Sequence, residues 1–409
     1  MMTGFGWEIG AFESWDLLGV EKTVADMKKA GHKVATWVDE MLATGYKTFF
    51  TIKDGKRLVY SPITKSLVSV YAPGQENAFI VMKHFEGQTL WKNSACRTYH
   101  LGDDVLGLEW YTKMGSIGGE VLEGIQKSIS LAEDKYKGLV IANEGNNFSA
   151  GANIGMIFMA AIEQEWDEIN MAIRAFQNTS MRLRYSSIPV VVAPHNLTLG
   201  GSCEFSLHAD HVQINAETYM GLVEFGVGLI PGGGGTKEFA LRVSDELKDG
   251  QIDQNVLKDR FLTIAMAKVS TSGAEAADLG YLKAGKYSIT MNRSRLIADA
   301  KTKALELADA GYTQPVRRTD IKVLGKSGLG IVYAGANSMF AGNYISEHDK
   351  KISEKLGYVM CGGDLSAPSI VSEQYLLDLE REAFLSLCGE KKTLERIQSI
   401  ITKGKPLRN

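Results

Sequence analysis

Three short apolar runs constrain this chain most: Gly138-Leu-Val-Ile-Ala142, Pro189-Val-Val-Val-Ala193 and His211-Val-Gln-Ile-Asn215. Each is rich in β-branched residues and too short for an ordinary helix, so each reads as a buried strand. Val105-Leu-Gly-Leu-Glu-Trp110 alternates like a further strand, and Ile117 to Leu131 carries a helical pattern. Strands that alternate with helices along the chain predict an α/β fold.

Bulk properties remove several function classes. Hydrophobic residues at 44% and charged residues at 23% allow a sizeable core, and the net charge of −3 carries no basic footprint for nucleic acid. The longest uncharged apolar stretches, 188–194 and 155–162, are too short to span a bilayer, so no membrane role is expected. The first residues lack the basic-then-apolar layout of a signal peptide. Cys96, Cys203, Cys361 and Cys388 are scattered, without CxxC or histidine at metal-ligand spacing. They read as reduced, buried thiols in a cytoplasmic protein, and no metal site is expected.

The texture divides the chain into four: 1–72, 73–96, 97–290 and 291–409. In the first, Trp15 to Val24 and Val34 to Ala43 show helical spacing, and Tyr46 to Phe50 with Arg57 to Tyr60 form a hairpin around Asp54-Gly-Lys56. The second reads as a connection, from Ala72-Pro-Gly-Gln-Glu76 and Glu86-Gly-Gln88. The third holds the α/β pattern. The fourth is helical again, clearest over Arg293 to Ala310 and Ser372 to Leu387.

Chemistry concentrates in the third part. Gly200-Gly201 precede a segment, Ser202 to His208, that should be helical. Glycine allows close backbone approach, and a helix start offers free amides and partial positive charge. The amide of Gly201 therefore suits a carbonyl oxygen that becomes negative. Ser149-Ala-Gly-Ala152 offers a second such turn, and two converging amides make an oxyanion hole. Glu204 and Glu224 lie twenty residues apart, and two carboxylates brought to one pocket can share a water. Ser202, His208 and Asp210 invite a hydrolase reading, but Gly200-Gly-Ser-Cys-Glu204 lacks the closing glycine of a nucleophile elbow. Gly228 to Gly235 matches neither a phosphate loop nor GxGxxG.

These motifs occur in an order that resembles the enoyl-CoA hydratase (crotonase) family across 97–290. The resemblance implies a ββα spiral core, with Ala152 and Gly201 donating the oxyanion-hole amides and Ala150, Asn153, Ile154 and Gly200 lining the substrate. It implies Glu204 as the group that deprotonates water and Glu224 as the group that protonates C2. Asn153 departs from the usual aspartate; a helix-start role survives that change. The implied substrate is an acyl-CoA thioester, the implied reaction hydration of trans-2-enoyl-CoA, and the implied cofactor none, CoA being part of the substrate. An isomerase of the same family, or a scaffold that has lost turnover, are the rival readings.

Residues 1–72 resemble the C-terminal helical part of 3-hydroxyacyl-CoA dehydrogenases, through Gly4-Phe-Gly-Trp-Glu-Ile-Gly-Ala-Phe-Glu-Ser-Trp-Asp-Leu-Leu-Gly-Val20. No dinucleotide fingerprint stands in the chain, so no NAD site is expected. Residues 291–409 resemble the helical tail of dehydrogenase–hydratase fusions, of which this chain looks like the C-terminal half. A separate dehydrogenase half or a homo-oligomer is the expected partner.

Overall fold

The computed structural model describes residues 1–5, 7, 9–71, 78–248 and 252–409. It divides into two compact units, Met1–Gln88 and Thr89–Asn409.

In the first unit, helices Ala11–Leu18 and Val20–Lys29 break at Gly19, whose φ of 85° no β-carbon favours. A third helix, Thr36–Ala43, follows, then an antiparallel meander of β1 (Phe50–Lys53), β2 (Lys56–Ser61) and β3 (Ser66–Ser69). Asp16 ties helix to sheet by accepting from the amides of Phe49 and Phe50 at 2.7 and 2.9 Å. Phe49 fills the core beside Val20, Val24, Val38 and Met41. The helical pattern expected over 15–24 is thus two helices broken at Gly19, and the helix expected over 34–43 is present from Thr36. The hairpin turns at Asp54-Gly55, with its first strand at Phe50–Lys53 rather than 46–50 and with β3 added. Residues 72–77, at the junction of the expected first domain and connection, lie outside the described residues, as do Gly6 and Glu8 of the quoted motif.

The second unit is built on a seven-stranded sheet, in the order β12-β10-β8-β7-β6-β5-β4. Its strands are β4 (Thr89–Lys92), β5 (Cys96–His100), β6 (Val105–Trp110), β7 (Gly138–Ile141), β8 (Val190–Val192), β10 (His211–Asn215) and β12 (Tyr287–Thr290). The expected strands all fall within it. From β6 to β12 neighbours run parallel, while β4, β5 and β6 are antiparallel. Parallel neighbours need crossovers, supplied by helices such as Gly119–Lys135 and Trp166–Arg184. Alternation fixes the faces: Leu139, Ile141, Val190 and Val192 join one apolar cluster with Val121, Ile125 and Ile129.

Two boundaries differ from expectation. Residues 89–92, read as part of a connection, pair with β5 as the sheet's edge strand, and Met82–Gln88 is a 3-10 helix that buries Met82 and Phe85. Residues 97–290 and 291–409 form one compact unit rather than a domain and an appendage. The latter supplies helices Leu296–Asp309, Gly325–Ala341, Glu347–Met360, Glu373–Cys388 and Lys391–Lys403. It also contains an unexpected antiparallel pair, β13 (Ile321–Val323) with β14 (Ser369–Val371). No helix among the described residues is long and apolar enough to cross a membrane.

Candidate active site

Three chain turns meet at one end of a small parallel ladder. β9 (Asn196–Leu199) pairs with β11 (Thr218–Gly221), so Leu199 stands opposite Gly221 and the residues that follow emerge side by side. Ser149 bridges to Thr198 on the other side, with Ser149 N donating to Leu197 O at 2.9 Å and Leu199 N to Ser149 O at 3.0 Å. The turns 149–152, 200–201 and 222–224 are thereby brought together. Buried Asn143 and Trp110 both donate to Phe148 O, at 2.7 and 3.3 Å, which fixes the first turn from behind.

Glycine is required where these turns touch. Gly151 has φ +100°, and a β-carbon there would lie 2.9 Å from Leu199 O. Gly200 has φ +54°, and its β-carbon would lie 2.9 Å from Glu224 Oε1. A β-carbon at Gly201 would meet Phe176 Cζ at 2.5 Å. Gly201 opens the Gly201–His208 helix, and Asn153 caps the Ile154–Ile162 helix by accepting from Gly155 N at 3.2 Å. Ala152 N and Gly201 N engage no protein acceptor among the described residues, so both remain available. Ala150 is exposed and donates its amide to Met114 O at 3.0 Å, while Ile154 is half-buried against the core.

The two glutamates occupy the same end. Glu204, in the first turn of its helix and 3% exposed, accepts from Gly233 N and Gly235 N through one oxygen, Oε1, at 2.8 and 2.7 Å. Burial, with the charges of Glu224 and Glu380, pushes its proton affinity well above the usual carboxylate range; the two amides oppose that. Glu224 follows β11 in a single 3-10 turn, Glu224–Val227. Its Oε2 is buried and has no hydrogen-bond partner among the described residues, and burial raises its pKa to about 7, against the pull of the nearby backbone amides. Two carboxyl groups so placed repel each other and titrate as a pair. They can pass one proton each way near neutral pH.

The remaining sequence candidates resolve as structure. Ser202 Oγ donates to Leu199 O at 2.9 Å, His208 Nδ1 to Glu204 O at 2.7 Å, and Asp210 accepts from Val190 N at 2.9 Å. No side-chain hydrogen bond joins the three among the described residues. His195 bonds Gly145 O at 2.8 Å and His211 bonds Ser288 Oγ at 3.1 Å. All four cysteines are free and buried, and no group of metal-ligating side chains occurs among the described residues.

Residues 111–248 match the family model described as Enoyl-CoA hydratase/isomerase. This segment belongs to that family. A Bacillus subtilis (strain 168) protein named "Probable 3-hydroxyacyl-CoA dehydrogenase" is 42% identical over 413 residues, covering 100% of this chain and 51% of its own length. A Rickettsia prowazekii (strain Madrid E) protein named "Putative fatty acid oxidation complex trifunctional enzyme" is 25% identical over 89% of this chain and 49% of its own. The chain thus spans about half the length of the curated relatives it matches. The crystal structure of enoyl-CoA hydratase from Bacillus halodurans matches with a TM-score of 0.50 and 14% identity, over 75% of this chain and all of that one. The α/β, crotonase-like fold is common to both.

Within the hydratase/isomerase segment, Gly228–Gly235 matches no ligand-binding motif in the sequence. The structure gives its amides to Glu204. Reasoning also missed Phe176, which packs against Gly201 and stacks on Phe205 at 4.7 Å, and Glu380, which approaches from outside the segment. No motif signals either, because both arrive by tertiary packing.

Proposed function

We propose that this chain adds water to trans-2-enoyl-CoA thioesters to give 3-hydroxyacyl-CoA, the hydration step of fatty-acid β-oxidation. The observation that carries the reading is the coupled pair Glu204 and Glu224 beside two unengaged amides, Ala152 N and Gly201 N. The thioester oxygen accepts from both amides and gains charge as the adduct forms, so they stabilise the transition state more than the substrate. Glu204 takes a proton from water while the water oxygen bonds to C3. The C2–C3 π electrons move to C2, which receives the proton of Glu224. The proton that burial leaves on the pair must therefore sit on Glu224 when water attacks. The amides of Gly233 and Gly235, both donating to Glu204 Oε1, work toward that placement, against the burial and the Glu224 and Glu380 charges that push Glu204's own proton affinity well above the usual carboxylate range.

Only protons and water move, and CoA enters as part of the substrate. The dehydrogenase and trifunctional names of the relatives, with half their length matched, support a working partner that oxidises the 3-hydroxyacyl product. Loss of enoyl-thioester absorbance tests the reading. Glu204→Gln or Glu224→Gln should lower kcat about 10³-fold. Full activity in both variants would remove the mechanism, and a product shifted rather than hydrated would make the enzyme an isomerase.

A further inference from the structure

The Gly-rich turn at 231–237 is held from two sides. Gly233 N and Gly235 N donate to Glu204, as above. Between them Gly234 N donates to Glu380 Oε1 at 2.6 Å, and Lys237 N donates to Glu380 Oε2 at 2.8 Å. Glu380 is fully buried on the Glu373–Cys388 helix. Its remaining partner is Gln177 Nε2 at 3.0 Å, which also donates to Leu377 O at 2.9 Å. Alternate amides of one turn thus go to two carboxylates from opposite ends of the sequence. The turn has little room to shift: β-carbons at Gly232, Gly233 and Gly235 would lie 2.5 Å from Phe384, 2.6 Å from Glu204 Oε2 and 2.8 Å from Glu204 Oε1.

We propose that Glu380 is a positioning residue for Glu204: it fixes the turn through Gly234 and Lys237, and so aims the Gly233 and Gly235 amides that hold the water-activating carboxylate. This rests on the hydratase reading of Glu204. All the partners of Glu380 among the described residues are donors, so its hydrogen bonds fit a carboxylate and not an amide, and they oppose the burial that raises its pKa to about 7. Glutamine at 380 accepts one backbone N–H and turns its own N–H toward the other, leaving that amide unpaired. The charged groups that bear on Glu380 are Glu204, Glu224 and Lys237. Removing the charge of Glu380 relieves repulsion on Glu204 and Glu224, which makes Glu204 a weaker base as well as a looser one.

In the full chain, Glu380→Gln is expected to lower kcat for enoyl-CoA hydration ~10–100-fold, with KM within ~3-fold. The limb of the pH–rate profile that reports the base should move to lower pH. A folded Glu380→Gln protein with parental kcat and profile overturns the proposal. Should that variant not fold, Gln177→Leu removes one donor from Glu380 and keeps every carboxylate; it must move the same limb in the same direction, and an unmoved limb overturns the proposal. If the parent turns over no enoyl-CoA, the hydratase reading falls and NMR titration of the Glu204 carboxyl carbon decides instead. A displaced titration in Glu380→Gln upholds the positioning role, and superimposable curves overturn it.

Discussion

The Gly235–Glu246 helix touches two buried carboxylate regions that behave in opposite ways. Before its first residue and at its start lie Glu204 and Glu380, 3% and 0% exposed, held by amides and joined to no side-chain cation by an ion pair among the described residues. One turn on, Glu238 is equally buried but meets Arg184 Nη2 at 2.7 Å, Arg242 Nε at 3.2 Å and Lys237 Nζ at 3.5 Å. Glu373 pairs with Lys237 Nζ at 3.0 Å and with Tyr185 OH. Burial pushes all of these groups toward the neutral form. In the first region it wins, and Glu204, Glu224 and Glu380 rise. In the second the cations outweigh it, and Glu238 and Glu373 fall below the usual carboxylate range. Equal burial therefore yields exchangeable protons in one place and fixed charge in the other. Only the first can carry acid–base chemistry.

The largest effect that tests this contrast is on the fixed side. Glu238→Gln leaves Arg184, Arg242 and Lys237 crowded without their shared anion, and should cost about 3–5 kcal/mol of stability. Urea unfolding measures it. A loss below about 1 kcal/mol would mean that the cations do not depend on Glu238, and the contrast would fail.

A second test uses pH. Glu224 rises from 4.5 to about 7 on folding, so its contribution favours the fold below 4.5 and is lost as pH rises through about 7. Glu224→Gln should therefore unfold on the order of 1–3 kcal/mol less readily than the parent above pH 7, and like the parent in acid. Glu238 carries the reverse sign: its contribution is present above 4.5 and disappears as pH falls through its depressed folded value. Stability differences measured against pH should slope in opposite directions for the two variants. Parallel slopes would erase the distinction between the regions.

The exchangeable region was half legible in the sequence. Gly200-Gly201, Glu204 and Glu224 fall within a short stretch, and β9 beside β11 brings them together almost by local geometry. The α/β core was legible for a similar reason, since β7 and β8 are unbroken apolar runs buried at every position. Glu380 was not legible: its bond to Gly234 spans 146 residues, and a glutamate inside a helical pattern reads as a solvated one. β4 reads as a connection in the sequence because Thr89-Leu-Trp-Lys92 offers only two inward positions and its register slips between Thr89 and Trp91. β13 and β14, three residues each, pair over Ile321 to Val323 with residues that lie about 50 positions downstream, too short a run for alternation to signal. The fixed region was equally hidden, because Arg184, Lys237, Glu238 and Glu373 come from three separated helices.

One side chain spans both regions and gives the smallest and sharpest test. His208 Nδ1 donates to the carbonyl of Glu204, which leaves Nε2 to accept from Lys237 Nζ at 2.9 Å. Burial, with the charges of Lys237 and Arg184, holds its proton affinity well below the ordinary histidine value, so the ring stays neutral through the working pH range. A neutral ring transmits no change of charge. His208→Gln should accordingly cost about 1–2 kcal/mol, the loss of one buried hydrogen bond with Lys237 still paired to Glu373. The pH–rate profile should keep both limbs where they are. Urea unfolding reads the first quantity and initial rates against pH read the second. If the limbs move with the stability loss, His208 couples the two carboxylate regions, and the proton affinity of Glu204 is set partly by cations that never touch it.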